Sequence, residues 1–318
     1  MITSNLNLAI HELVNDGIVA IPTETVYGLA GNARNETALR KIFILKNRPF
    51  YNPLIVHIRS SAYLNTVAQN IPEIAMKLAR HFWPGPLTLV LEKQMDISDL
   101  VTAGKNTVAV RVPNHALTLE LLNQLEFPLA APSANPFGSI SPTSAQHVQN
   151  YFGKKLKVIV EGGNCERGIE STIIGFEENQ PVLYRHGSIS MEEIEKVAGS
   201  VKVIVKNEHD PQAPGMLSRH YAPITTTYLT NNVPELTKQF PQKKIGVLMF
   251  KDSIKAKGIA KVEVLSEAGN IQEAAKNLYA ALHRLDKANL DLIIAERFPN
   301  EDLGRSINDR LERAIKKG

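Results

Sequence analysis

The chain has 318 residues, 43% of them apolar and 21% charged, with a formal net charge of +4. Its length exceeds the roughly 100–200 residues of one domain, so two domains are expected, and the balance excludes a disordered or fibrous chain. No apolar run reaches the roughly 18 residues of a membrane span, the first residues lack a signal peptide's order, and the single cysteine, Cys165, excludes an internal disulfide or a cysteine-based zinc cluster. A cytoplasmic chain with no membrane partner is expected.

In chain order, helical spacing covers residues 2–14, with Gly17 in the place of a C-terminal cap. Residues 18–21 read as a buried strand broken by Pro22. Asn35 or Thr37 can cap a helix that runs to Lys46 and stops before Pro49. Strands are predicted at 54–58, 87–91 and 107–112, with a helix at 74–82. Shorter strands follow at 129–131, 158–160, 171–174 and 182–184. Many strands with few crossover helices predict an α/β fold with a twisted sheet of mixed direction over residues 1–205. Residues 206–225 are polar and rich in turn formers, as in a linker. Beyond them, strands at 245–250 and 290–295 and helices at 271–285 and 306–315 predict a smaller, Rossmann-like α/β domain over 226–318.

The charge is unevenly spread. Residues 1–205 balance, and the whole excess lies in 206–318. Within the balanced half, Arg34, Arg40, Lys41, Lys46, Arg48 and Arg59 face Glu36 alone. Such a block suits an anionic small molecule or an RNA phosphate, or is simply a solvated helix face. There is no Walker A loop: Gly163 and Gly168 have its spacing, but Ile169-Glu170 stand where Lys-Ser/Thr is required. There is no G-x-G-x-x-G, no H-E-x-x-H, and no metal-ligand spacing among the nine histidines.

Polar residues gather at the ends of apolar strands, where ligands bind in open α/β sheets. Thr23, Glu24 and Thr25 follow the first strand. Lys46, Arg48, Asn52 and His57 lead into the next. Arg111 lies inside an apolar strand, where a buried guanidinium needs an anionic partner, either a substrate or a structural carboxylate. Ser133 follows Ala131. Ser141 is a ligand contact or a helix cap, and His57 a ligand contact or a satisfied core histidine.

The blocks Pro22-Thr-Glu-Thr-Val-Tyr-Gly-Leu29, Lys46-Asn-Arg-Pro49 with Asn52-Pro-Leu-Ile-Val-His57, Trp83-Pro-Gly-Pro-Leu-Thr88, Thr107-Val-Ala-Val-Arg-Val-Pro113, Ala131-Pro-Ser-Ala-Asn135 and Glu170-Ser-Thr-Ile-Ile174 together resemble the YrdC-like family of threonylcarbamoyl-AMP synthases. Ala213-Pro-Gly-Met-Leu-Ser-Arg-His-Tyr-Ala-Pro223 resembles the linker of its longer, two-domain members, and Gly304-Arg-Ser-Ile-Asn-Asp-Arg-Leu311 resembles their C-terminal part. The resemblance implies a nucleotidyltransferase that makes threonylcarbamoyl-adenylate and pyrophosphate from L-threonine, bicarbonate or CO2, and ATP. A downstream threonylcarbamoyl transferase would then modify adenosine in tRNA, and tRNA itself is a further expected contact.

By the same resemblance, Thr25, His57, Arg111, Ala131 and Ser171 surround L-threonine. Arg48, Asn52, Thr107, Ser133, Ser141, Arg185 and Tyr221 hold ATP. Lys46, Arg48 and Arg111 are the expected catalytic cations, with Lys46 facing phosphate or bicarbonate. Magnesium arrives with the triphosphate, and no protein metal site is expected. Met216, Leu217, His220 and Tyr221 give the linker the apolar and aromatic groups of a lid over the nucleotide. The competing class is a non-enzymatic double-stranded-RNA-binding or ribosome-maturation factor that uses the basic block without Arg111 or the Ser133 loop. A hydrogenase-maturation carbamoyltransferase is excluded, because such chains carry cysteine-rich zinc modules.

Overall fold

The structure, a computed structural model, describes residues 1–204, 213–214, 216, 221–256 and 258–315. The first sheet has eleven strands: β1 (Ile2–Thr3), β2 (Val19–Ile21), β3 (Gly28–Asn32), β4 (Ile55–His57), β5 (Leu87–Glu92), β6 (Thr107–Arg111), β7 (Leu129–Ala130), β8 (Val158–Val160), β9 (Thr172–Glu177), β10 (Gln180–Arg185) and β11 (Lys202–Val203). Their order across the sheet is β1-β8-β2-β3-β7-β4-β6-β5-β9-β10-β11. Parallel and antiparallel neighbours both occur, such as β4 with β6 and β5 with β6, so the direction is mixed as predicted.

Among the described residues, seven α-helices accompany this sheet: α1 (Leu6–Val14), α2 (Glu36–Lys46), α3 (Glu73–Phe82), α4 (Asp99–Thr102), α5 (Ala116–Asn123), α6 (Ala145–Phe152) and α7 (Met191–Ala198). The chain begins as an edge strand rather than a helix. Asn5 caps α1 through its side chain, which fixes the start at Leu6. The positive φ at that helix's end belongs to Asp16, not to Gly17. Asn35 caps α2, and Asn47 ends it in the left-handed region. The strand β3 is new: Gly28-Leu-Ala-Gly-Asn32 has little β-propensity, and its place is set by burial between β2 and β7.

The alternation of the strands positions the cavity. Val56, Leu87, Leu89, Leu91, Val108, Val110, Ile174 and Leu183 point to one face and form a core with α3 and α7. Their neighbours Ile55, Val90, Ala109, Ile173, Val182 and Tyr184 point to the other face, in a second cluster with Ala213 and Met216. His57 and Arg111 therefore share that second face.

The second sheet is wholly parallel, in the order β12-β15-β13-β14, from β12 (Thr227–Thr230), β13 (Ile245–Met249), β14 (Ile259–Val264) and β15 (Leu292–Glu296). Its helices are α8 (Val233–Lys238), α9 (Ile271–Asp286) and α10 (Asp302–Ala314). The inner face of α9 carries Ala274, Ala275, Leu278, Ala281, Leu282 and Leu285. These residues share one apolar cluster with Val26, Ile140 and Ile169 of the first sheet's loops. No described helix is long and apolar enough to cross a membrane.

Candidate active site

A cavity lies at the ends of β4, β6 and β10 and the start of β9. Of the residues singled out from sequence, Thr25, Arg48, His57, Arg111, Ala131, Ser133, Ser171, Arg185 and Tyr221 line it. They come from strand ends and loops spread over nearly 200 positions, as the sheet's topology requires.

Arg111 is the end residue of β6 and is buried. Its Nη2 lies 2.6 Å from Glu24 Oε1, and both side chains are under 5% exposed. Of the two anionic partners expected for Arg111, the structural carboxylate is thus the resident one. The contact lies off the hydrogen-bonding line, so neither atom has a hydrogen-bond partner. Arg111 Nη1 also donates to Thr25 Oγ1 at 3.0 Å, and its Nε donates to the Gly85 carbonyl. Thr25 Oγ1 in turn lies 2.8 Å from Thr23 Oγ1. Burial, with Arg111 beside it, pushes His57 down to about 3, so the imidazole is neutral. Its Nδ1 is buried without a hydrogen-bond partner.

Two further cations face the cavity. Arg48 donates to the Asn52 and Pro53 carbonyls and to Asn52 Oδ1. Arg185 donates to the carbonyl and hydroxyl oxygens of Ser171 and to the Pro214 carbonyl. Thr88 holds the Ser171 hydroxyl from the other side at 2.7 Å. Neither Arg48 nor Arg185 has an ion-pair partner among the described residues. Burial pushes Arg48 down to about 9, opposed by Tyr221 and reinforced by Arg185. Both guanidinia remain charged at neutral pH, so the cavity carries uncompensated positive charge.

Four of the expected residues do not line the cavity. Lys46 is fully buried behind the Ser133 loop, and its Nζ donates to the Ser133 and Asn135 carbonyls. The expected role facing phosphate or bicarbonate is corrected to one of holding that loop. Asn52 is spent on Arg48, and its Nδ2 has no hydrogen-bond partner. Ser141 donates its hydroxyl to Glu170 Oε1 at 2.6 Å. Thr107 begins β6, about 13 Å from Arg111 at the rise of an extended chain. It lies in a separate groove with Asn106, Glu92 and Phe176. Ala213 and Met216 cover the strip between, packed on Ala109 and Ile55. Leu217 and His220 of the expected lid lie outside the described residues. Tyr221 is buried against the cavity with a φ of +63°.

The basic block divides. Arg40 pairs with Glu36, Arg34 with Asp96, and Lys41 reaches the Asp16 carbonyl, all on the exterior. Arg59 lies over the Tyr63 ring and reaches the Leu125 carbonyl, and of the six only Lys46 and Arg48 are buried.

Sequence reasoning assigned no role to Glu24 or Glu170, although both stand in its motif blocks. Glu170 lines the cavity. Burial pushes its carboxyl up, but Arg310, Arg185 and the Ser141 hydroxyl outweigh that and hold it below the usual range. Arg310 and Tyr279, from the second domain, were also without a role. The signal for Arg310 was its place in the Asn-Asp-Arg run of a helix whose inward face is charged.

The family described as telomere recombination, comprising Sua5, YciO and YrdC, matches residues 11–187. The family described as threonylcarbamoyl-AMP synthase, C-terminal domain, matches residues 189–315. A threonylcarbamoyl-AMP synthase of Pyrococcus abyssi is 42% identical over 311 residues, covering 93% of this chain and 90% of that protein. One from Bacillus subtilis is 40% identical over 307 residues, covering 93% and 89%. A crystal structure of P. abyssi Sua5 complexed with L-threonine superposes with a TM-score of 0.89 at 39% identity, covering 98% of this chain and 96% of that one.

Proposed function

The chain belongs to the threonylcarbamoyl-AMP synthase family, and on that premise we propose that it is a nucleotidyltransferase making threonylcarbamoyl-adenylate from L-threonine, bicarbonate or CO2, and ATP. The observation that carries the reading is one cavity that combines a guanidinium already balanced by a carboxylate, Arg111, with two that have no carboxylate partner among the described residues, Arg48 and Arg185. An amino acid brings its own ammonium and carboxylate and adds no net charge beside Arg111. A triphosphate brings several negative charges, which suit the other two.

In this reading Arg111, with Thr25 at its Nη1, forks onto the threonine carboxylate. His57 is neutral, so its open Nδ1 accepts a hydrogen bond from the substrate rather than adding a fourth cation. Ser171, fixed by Thr88 and Arg185, and the backbone at Ala131 complete the threonine subsite. Arg48, Arg185, Ser133 and Tyr221 surround the nucleotide, with Asn52, Ser141 and Lys46 supporting the wall from behind. A nucleotide contact at Thr107 would require the ligand to follow β6 and displace Ala213 and Met216.

The threonine amine adds to the carbon of CO2 and loses a proton, or adds to bicarbonate with loss of water, giving a carbamate in either case. A carbamate oxygen then attacks the α-phosphorus of ATP, and pyrophosphate leaves from the opposite side. The cavity supplies placement and positive charge for both steps, and no protein nucleophile is needed. Magnesium would travel with the triphosphate. The cavity is lined by guanidinia, hydroxyls, an imidazole and one carboxylate, Glu170, which Ser141, Tyr279 and Arg310 already hold, and no cluster of three metal-binding side chains occurs among the described residues. The product would pass to a transferase acting on tRNA adenosine.

The test is to incubate the full chain with L-threonine, bicarbonate and ATP. The adenylate is expected by mass, with pyrophosphate in equal amount. Pyrophosphate formation that does not depend on threonine, or none at all, would refute the assignment.

A further inference from the structure

Glu170 forms part of the cavity wall, yet most of what holds it comes from the second domain. Its carboxylate accepts from Ser141 Oγ at 2.6 Å, from the Tyr279 phenol at 2.9 and 3.1 Å, and from Arg310 Nε and Nη2 at 3.2 Å each. Tyr279 lies on α9 and Arg310 on α10, 109 and 140 residues further along the chain. Arg310 is wholly buried. It also donates to the His186 carbonyl and pairs with Asp309. Its guanidinium carbon sits 5.4 Å from the centre of the Tyr221 ring, and the Tyr221 and Tyr279 rings are 5.7 Å apart.

A contact surface that served only to join two domains would be at least as stable with apolar residues here, because burying these charges is costly. The arrangement makes sense for what it does to Glu170. Arg185 is the other cation whose field acts on that carboxylate. It makes no ion pair with Glu170: its own N–H groups go to Ser171 and Pro214, while Tyr279 and Arg310 hold the carboxylate.

We propose that Tyr279 and Arg310 are positioning residues of the nucleotide subsite: they anchor Glu170 and so leave the Arg185 guanidinium available to phosphate. The inference rests on the function proposed above. A buried carboxylate deprived of Arg310 turns to the next cation. Glu170 would then pair with Arg185 and cancel charge that ATP requires. The threonine subsite has its own carboxylate, Glu24, beside Arg111, and its Ser171 hydroxyl stays held by Thr88 when Arg185 turns, so it should feel the change far less.

The experiment is calorimetric binding of ATP and of L-threonine to the full chain, to Arg310→Met and Tyr279→Phe, and to each combined with Glu170→Gln. Asp309 keeps Arg313 as its partner in the first variant. Arg310→Met is expected to weaken ATP binding about tenfold or more, and Tyr279→Phe about threefold, with threonine affinity within about twofold of wild type. Glu170→Gln, which cannot form the unwanted ion pair, is expected to restore ATP binding to within about threefold of wild type in the Arg310→Met background and to within about 1.5-fold in the Tyr279→Phe background. Equal losses for both ligands, unchanged ATP binding in both folded variants, or failure of Glu170→Gln to restore it would each overturn the proposal. If Arg310→Met does not fold, the Tyr279→Phe pair decides by the same criteria. A wild-type chain that binds neither ligand would instead overturn the function, and this inference with it.

Discussion

A Cβ placed on Gly168 would stand 2.1 Å from the carbonyl oxygen of Lys276, and Gly168 has a φ of +71°. The loop before Glu170 therefore touches the backbone of α9 directly, and only glycine fits. Gly168→Ala should push the second domain off the first and cost about 2–4 kcal/mol, from overpacking plus the left-handed backbone. Gly163 has a similar φ of +76° but nothing within 4 Å of its Cβ position. Gly163→Ala should cost only about 1 kcal/mol. Urea unfolding of the two variants separates the contact from the conformation, and equal losses would show that α9 is not pressed against this loop.

The buried Arg111–Glu24 pair implies two separable effects. Arg111→Ala leaves the Glu24 carboxylate buried without its cation, so folding stability should fall by about 3–5 kcal/mol. Arg111→Lys keeps the charge but loses the fork that reaches both Glu24 and Thr25. It should bind L-threonine at least about tenfold more weakly, with a much smaller loss of stability. Thermal unfolding alongside threonine calorimetry checks the split. A stable Arg111→Ala protein would mean that Glu24 does not depend on this partner.

Lys46 offers a sharp contrast between two roles. If its ammonium holds the Ser133 and Asn135 carbonyls, Lys46→Met strands two buried acceptors. Stability should then fall by about 2 kcal/mol or more, while the salt dependence of ATP binding stays as in wild type. A phosphate contact would instead flatten that salt dependence and leave stability nearly intact.

The contact between the domains should weaken in acid. The His283 and His147 rings stack at 3.9 Å, and His283 Nε2 lies 3.1 Å from the Ser141 carbonyl oxygen. Burial pushes His283 down to about 4 and His147 down to about 3, the latter also through His283 itself. Lys287 bears on both rings and Arg284 on His147, while Asp286 on the same helix bears on the nearby Tyr151 phenol. Between an unfolded value near 6.5 and these folded values, the unfolded chain binds protons that the folded one refuses. Their contribution to stability is complete above about pH 6.5 and is lost as the pH falls towards 4. His283→Asn should flatten the stability profile across that window, as followed by urea midpoints. A profile as steep as wild type's would place the titration elsewhere.

Much of the site was legible because its residues sit at strand ends. Arg111 and His57 stand out as polar groups closing apolar strands and Ser171 as one opening a strand, and period-2 alternation puts Arg111 and His57 on one face. Alternation does not measure distance along a strand, however. Thr107 shares the face of Arg111 but sits at the other end of β6, over a different groove. Nor does it tell a residue in the wall from one behind it: Lys46, Asn52 and Ser141 neighbour the cavity but spend their polar atoms on Ser133, Arg48 and Glu170. The strand β3 escaped because glycine and alanine carry no strand signal. The hold of Tyr279 and Arg310 on Glu170 escaped for a deeper reason. It joins positions more than a hundred residues apart, and no local pattern encodes such a pairing.

The apolar cluster joining Val26, Ile140 and Ile169 to α9 bears on how such a chain can be inherited. A cassette can be gained or lost by recombination only if each half is presentable to water alone. Here, cutting the linker would leave both halves with a raw apolar face, and Glu170 with a charge and no cation across from it. A lineage that dropped the second half would have to resurface those three positions and rebalance Glu170 in the same episode. In chains that keep both halves, substitutions at Gly168, Glu170, Tyr279 and Arg310 should travel together.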